Sequence, residues 1–120
     1  MIELRRLIKN GGIDESALDP YQRAFYRAAT VRDDQSFQLL AKSVIASLPS
    51  GMYSSRGIEK LVRIYFGSGI SFVSVRADLR CTNDQVQAYQ KSVREAMTRM
   101  CDSLVSEIER QLQAKQAMGG

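Results

Sequence analysis

A stretch of 33 residues from Asn83 to Lys115 contains neither glycine nor proline, and it constrains the fold more than any other feature. Its apolar side chains recur with a mean spacing of about 3.6 residues, which is the period of one helix face. The stretch predicts a single helix, and at 1.5 Å per residue that helix would reach about 50 Å.

The helices predicted before this stretch are much shorter, at about 9 to 15 residues, and would reach only roughly 14 to 23 Å. We therefore expect the distal half of the long helix to carry apolar side chains that one chain does not cover. Symmetric self-association is the simplest way to bury them, and a dimer is favoured. The predicted interface consists of Met97, Met100, Leu104, Val105, Ile108 and Leu112.

Two alternatives concern the long helix itself, because it could kink and fold back, or fray after about residue 108. Strict heptads are not kept, so paired helices or a bundle are favoured over a regular coiled coil.

Two short helices are predicted near the start of the chain. Leu4, Leu7 and Ile8 share one helical face, and the Gly11–Gly12 pair supplies the positive-φ conformations that commonly end a helix. The second helix has Asp19 as its expected N-cap and Pro20 at its first position, followed by apolar residues at helical spacing.

A third and a fourth helix are predicted before residue 70. Asp33 or Asp34 caps the third, which ends at the Pro49-Ser50-Gly51 stretch. Ser54 or Ser55 caps the fourth, which ends at the Gly67-Ser68-Gly69 stretch. The short loops between these helices favour antiparallel packing into a bundle.

Residues 70–79 are ambiguous, because Ile70, Phe72, Val73 and Val75 fit a strand about as well as a helix. We lean toward a short strand or an extended link there.

The predicted class is all-α: short antiparallel helices in a small bundle, followed by one long C-terminal helix. Residues 1–80 are predicted to form a basic helical bundle domain, and residues 81–120 a long helix that packs partly on the bundle and partly serves oligomerisation. No apolar run approaches the roughly 18 residues of a membrane helix. The first ten residues lack a continuous apolar stretch, so a cytoplasmic location, or one inside a host cell, is expected.

Histidine is absent from the sequence, which removes the ordinary Ser-His-Asp and Cys-His arrangements and the commonest general base near neutral pH. Cys81 and Cys101 are the only cysteines; we expect both to be reduced, and a zinc site would need more ligands. We predict no enzyme activity, no metal and no cofactor. The remaining enzyme hypothesis would use Tyr53, Ser54 and Arg56.

Positive charge is concentrated in the N-terminal part, where residues 1–80 contain 12 Lys or Arg and 8 Asp or Glu, against 5 and 5 in residues 81–120. Two helical faces are basic and point away from the apolar stripes. Adjoining faces would form a patch suited to the phosphates of RNA or DNA. The predicted binding residues are Arg23, Arg27, Ser55, Arg56, Lys60 and Arg63.

These features favour a non-catalytic, self-associating helical module for protein interaction, such as an adaptor or a small assembly subunit. The alternative is sequence-nonspecific binding of RNA or DNA through the basic faces. The expected partners are thus a second copy of the chain, another protein or a nucleic acid, and not a membrane.

Overall fold

The computed structural model describes residues 2–48 and 55–118, and in these ranges it confirms the all-α class. The helices are α1 (Ile2–Asn10), α2 (Pro20–Thr30), α3 (Asp34–Ser47), α4 (Ser55–Tyr65), α5 (Phe72–Leu79) and α6 (Asn83–Met118), with a short 3₁₀ turn at Glu15–Ala17. Among the described residues, no helix combines the length and the apolar character needed to cross a membrane.

The start of α2 follows the sequence prediction. The Asp19 carboxylate accepts a hydrogen bond from the Gln22 amide at 2.8 Å, while the Gln22 side chain accepts one from the Asp19 amide at 3.0 Å. This reciprocal capping box satisfies amides that would otherwise lack partners, and Pro20 occupies the first position of the helix.

The start of α3 differs in detail. Asp33 occupies the N-cap position but makes no side-chain capping hydrogen bond; its carboxylate instead accepts from the Ser36 hydroxyl at 2.8 Å. Among the other predicted helix boundaries, the residues Pro49, Ser50, Gly51 and Ser54 lie outside the described ranges, as does Tyr53 of the enzyme hypothesis.

The interpretation of residues 70–79 as a strand or link is wrong, because α5 occupies most of them. The Ser71 hydroxyl caps this helix by accepting from the Val73 amide at 3.1 Å, and Val75 is fully buried. The described residues contain no strand with which this segment could pair. A local cap and tertiary burial therefore outweigh the β propensity of the valines.

The longest element, α6, has 36 residues and lies within a molecule whose longest dimension is 57 Å. Four helices pack against it: α1, α2, α4 and α5. α3 lies across α2 and α4, where Phe37 and Phe25 both contact the ring of Phe66, with centroid distances of 5.6 and 4.9 Å. The whole bundle is thus assembled along α6.

The expectation that one chain leaves the distal half of α6 uncovered is wrong. Met97, Leu104 and Ile108 are fully buried within the chain, while Met100, Val105 and Leu112 are half-buried. The physical reason is that α2 packs on α6, where the Gln22 side chain donates to the Ser103 hydroxyl, and α1 packs on α6 further along, beside Leu112.

The segment between α1 and α2 is held to α6 by polar contacts. The Gln111 side chain accepts from the Asp14 amide at 3.0 Å and donates to the Asp14 carbonyl at 3.1 Å. The Lys115 ammonium donates to the Gly12 carbonyl. Gly11 and Gly12 have φ values of 73° and 78°, so the chain turns there as the sequence predicts.

We predict that Gly57→Ala destabilises the protein. Gly57 is buried where α5 crosses α4, and a Cβ atom added to it would lie 2.6 Å from the Leu79 side chain. Overpacking of this kind costs about 1–3 kcal/mol, which exceeds the gain in helix propensity of at most about 1 kcal/mol. Urea unfolding followed by circular dichroism measures the difference.

Gly69→Ala is the matched control. Gly69 is exposed, and a Cβ atom there would meet nothing within 4 Å. Its unfolding free energy should change by less than about 0.5 kcal/mol. Equal midpoints for the Gly57→Ala variant and the wild type would contradict the close approach of α5.

Candidate functional site

The basic face predicted on α2 is used within the chain. The Arg23 guanidinium donates to the carbonyls of Glu15 and Leu18 at 3.4 and 3.3 Å. Arg27 pairs with the Glu15 carboxylate at 2.5 Å, and this hydrogen bond raises the pKa of Arg27. Both arginines therefore hold the turn before α2 against the helix.

The basic face predicted on α4 is also paired. The Lys60 ammonium lies 2.5 Å from the Asp78 carboxylate and 2.5 Å from the Ser74 hydroxyl, so it ties α5 to α4. The Arg63 guanidinium lies 2.8 Å from Asp34 and 3.0 Å from Glu59.

Arg63 also lies over the ring of Phe37, 4.4 Å from its centroid. A guanidinium in this position gains a cation–π attraction while keeping its ion pairs. The Asp34 hydrogen bond is the largest cause of the raised pKa of Arg63. Arg63 is therefore part of the junction between α3 and α4.

Ser55 and Arg56 are exposed at the start of α4, and Arg56 differs from exposed Arg27 in having no ion pair among the described residues. The predicted residues do not form a purely positive patch, since carboxylates lie among them. These are Glu15, Asp34, Glu59 and Asp78. Little charge on these faces is therefore left for an external anion.

The groove between α2 and α3 has a volume of about 390 Å³. Arg23, Arg27, Asp33 and Ser36 line it with several apolar groups. Ser36 already donates to Asp33, and the arginines hold Glu15 and the nearby carbonyls. Both arginines of this groove and the Ser36–Asp33 pair are therefore already engaged within the chain.

A smaller pocket between α4 and α6 is built differently. Its volume is about 190 Å³, and Leu61 and Val93, which are both buried, form its floor. Half-buried Ile64 and Tyr65 form a wall on α4, and the lining is completed by Gln90 and Arg94 on α6. An apolar floor with a few polar groups at its edge is the usual composition of a binding pocket.

The polar groups of this pocket, which we call the α4–α6 pocket, differ in their partners. The Tyr65 ring packs edge-on against the rings of Phe25 and Phe66, and burial raises the pKa of its hydroxyl. Arg94 is exposed, and no carboxylate of the described ranges lies within ion-pair distance of it. Arg94 therefore differs from Arg27 and Arg63, which both form ion pairs with carboxylates.

Sequence reasoning did not single out Gln90, Arg94 or Tyr65. Gln90 and Arg94 are four residues apart and flank Val93, which is a recognisable signal on α6. The pocket exists, however, only because α4 supplies the opposite wall, and that pairing is a tertiary contact without a local sequence signature.

No group of three or more His, Cys, Asp or Glu side chains in residues 2–48 and 55–118 is arranged to hold a metal ion. The two cysteines are free thiols, with Cys81 half-buried and Cys101 buried against the core.

We predict that the Lys60–Asp78 ion pair makes stability depend on pH. The Lys60 hydrogen bond lowers the pKa of Asp78 in the folded protein. The stability it contributes is therefore fully present above the unfolded pKa of about 3.9, and is lost as the pH falls through the lower folded value. Urea unfolding of wild type and Asp78→Asn between about pH 7 and pH 2 should give free energies that differ most at neutral pH and converge in acid.

The control is Glu95→Gln, which removes an exposed carboxylate with no ion pair among the described residues. Its pH profile should follow that of the wild type. An Asp78→Asn profile that also follows the wild type throughout would show that the ion pair does not stabilise α5.

Comparison of the chain with protein-family models, with curated proteins and with solved structures finds no match. A function for this chain is therefore inferred from its own residues and contacts.

Proposed function

We propose that the chain is a non-catalytic helical module for protein interaction and self-association, acting as an adaptor or a small assembly subunit. The observation that carries this proposal is the attachment of α1. This helix has nine residues, packs chiefly against α6 and is joined to the bundle through Gly11 and Gly12. It is therefore a separable element that covers an apolar surface.

The surface beneath α1 supports this role. Leu7 of α1, which is buried, and Leu112 of α6, which is half-buried, line a common groove, and Ile108, one turn before Leu112, is fully buried. Isolated helices shorter than about 12–15 residues are marginal in water. α1 thus keeps its structure through the surface on which it packs.

A second copy of the chain offers the same surface to α1. Exchange of an identical element between protomers leaves every contact of that element in place, so domain swapping is a low-cost route to a dimer. The balance then depends on the hinge. Gly11 and Gly12, which allow the chain to fold back, set the preference for the closed monomer.

We predict that deletion of Gly11 and Gly12 increases dimer formation, because α1 then lacks the chain length to turn back onto its own α6. Insertion of three glycines after Gly12 should favour the monomer. Light scattering coupled to size exclusion, from about 10 to 300 μM, measures the dimer fraction. The wild-type dimer fraction should rise with concentration over this range by mass action.

The matched control inserts three glycines after Gly69, in the exposed loop before α5. This variant should behave as the wild type. A wild type and a folded hinge-deletion variant that both stay monomeric at the highest concentration would refute the proposed exchange.

The second proposal is sequence-nonspecific binding of RNA or DNA, and what favours it is the exposure of Ser55 and Arg56 at the start of α4 and the net charge of +4. It has weaker support because Arg23, Arg27, Lys60 and Arg63 have partners within the chain.

Binding of labelled single-stranded RNA from about 50 to 300 mM salt tests this second proposal. Affinity falling steeply with log salt, and lost on Arg56→Glu, would support it, since each phosphate contact contributes to the salt slope. Absence of binding at the lowest salt would exclude it.

A further inference from the structure

The α4–α6 pocket has a size that limits what it can hold. Its volume of about 190 Å³ is slightly above that of an engineered cavity of about 150 Å³ that binds benzene. Pockets for drug-sized ligands begin at about 300 Å³. The α4–α6 pocket therefore accommodates one ring or one branched aliphatic side chain.

The charge at the edge of the α4–α6 pocket selects among apolar groups. Arg94 has no carboxylate partner in the described part of the chain, and Lys91, one turn earlier on α6, is exposed as well. An arginine presents forked donors that match a carboxylate in geometry and charge. An apolar group that enters the pocket with a carboxylate beside it satisfies both parts of the site.

We propose that the α4–α6 pocket binds an acidic segment of a partner protein, packing one apolar side chain of that segment against half-buried Ile64 and Tyr65 while a neighbouring carboxylate pairs with Arg94. A protein segment fits better than a free ligand, because a single-side-chain pocket supplies little affinity unless the ligand adds contacts outside it. Tyrosine and arginine at the pocket are also the residue types that dominate binding energy at protein interfaces. This proposal rests on the proposed role in protein interaction but uses a surface apart from the one that α1 covers.

The test is an amide chemical-shift titration of the ¹⁵N-labelled full chain with the acetylated and amidated peptide Glu-Asp-Phe-Asp-Glu. The expected result is saturable shifts centred on Ile64, Gln90 and Arg94, with a dissociation constant of about 1 mM or tighter. The peptide with alanine in place of phenylalanine should bind at least about 10-fold more weakly, as expected for loss of a buried aromatic anchor. The charge-reversed peptide Lys-Arg-Phe-Arg-Lys should not bind the pocket.

Variants of the protein separate the pocket from general charge effects. Arg94→Gln should weaken binding of the acidic peptide about 5- to 10-fold, because it removes the ion pair and leaves the apolar floor intact. Arg99→Gln is the matched control: it removes another exposed arginine of α6 that has no carboxylate partner in residues 2–48 and 55–118, and it should leave the affinity unchanged.

Several outcomes would overturn the proposal. They are the absence of shifts at about 5 mM peptide, equal weakening by Arg94→Gln and Arg99→Gln, and binding of the charge-reversed peptide as tight as that of the acidic one. Benzoate that binds as tightly as the peptide would reassign the pocket to a free small carboxylate. Displacement of the peptide by octauridylate would reassign it to nucleic acid.

The titration is also separable from the test of self-association. The titration measures chemical shifts at the α4–α6 pocket. It can be repeated on the variant with three glycines inserted after Gly12, which favours the monomer. If the peptide fails to bind, the pocket proposal is refuted and the proposed exchange of α1 is unaffected. If the chain is strictly monomeric, the exchange is refuted and the pocket proposal is unaffected.

Discussion

Burial of one continuous apolar stripe along α6 is the constraint on which the rest of the structure depends. A helix of 36 residues cannot be covered by any single short helix, so four of them share the task at successive levels. Buried apolar residues therefore occur along the whole of α6: Val86 and Val93 lie in its first half, and Leu104 and Ile108 in its second half. Each short helix is therefore positioned by the part of α6 that it covers.

Several polar contacts follow from this arrangement, because they join short helices to one another. Lys60 and Asp78 join α4 to α5, and Arg63 and Asp34 join α4 to α3. The sequence predicts that these cations lie on exposed helix faces without ion-pair partners. A charged face that points away from one helix's apolar stripe can still meet a carboxylate on a neighbouring helix, and a pattern within a single helix does not reveal such a neighbour.

Local sequence signals predict the all-α class, the extent of α6 and the start of α2. These signals are the helical spacing of apolar residues, the positions of glycine and proline, and the Asp19-Pro20 cap. Two errors share one cause. The strand prediction for residues 70–79 rests on propensity alone, and the prediction of an uncovered distal α6 takes no account of helices that pack on it, whereas tertiary packing determines both segments. The α4–α6 pocket escaped prediction for the same reason, since Arg94 and Ile64 come together only in three dimensions.

The paired contacts between the Gln111 side chain and the main chain of Asp14 join residues 97 positions apart. During synthesis the α1 segment leaves the ribosome long before the surface that receives it exists. At about 5–20 residues per second, the delay before Gln111 is translated is roughly 5–20 seconds. For that period Leu4 and Leu7 have no α6 of their own chain to pack on, and a nine-residue helix is marginal in water without such a surface.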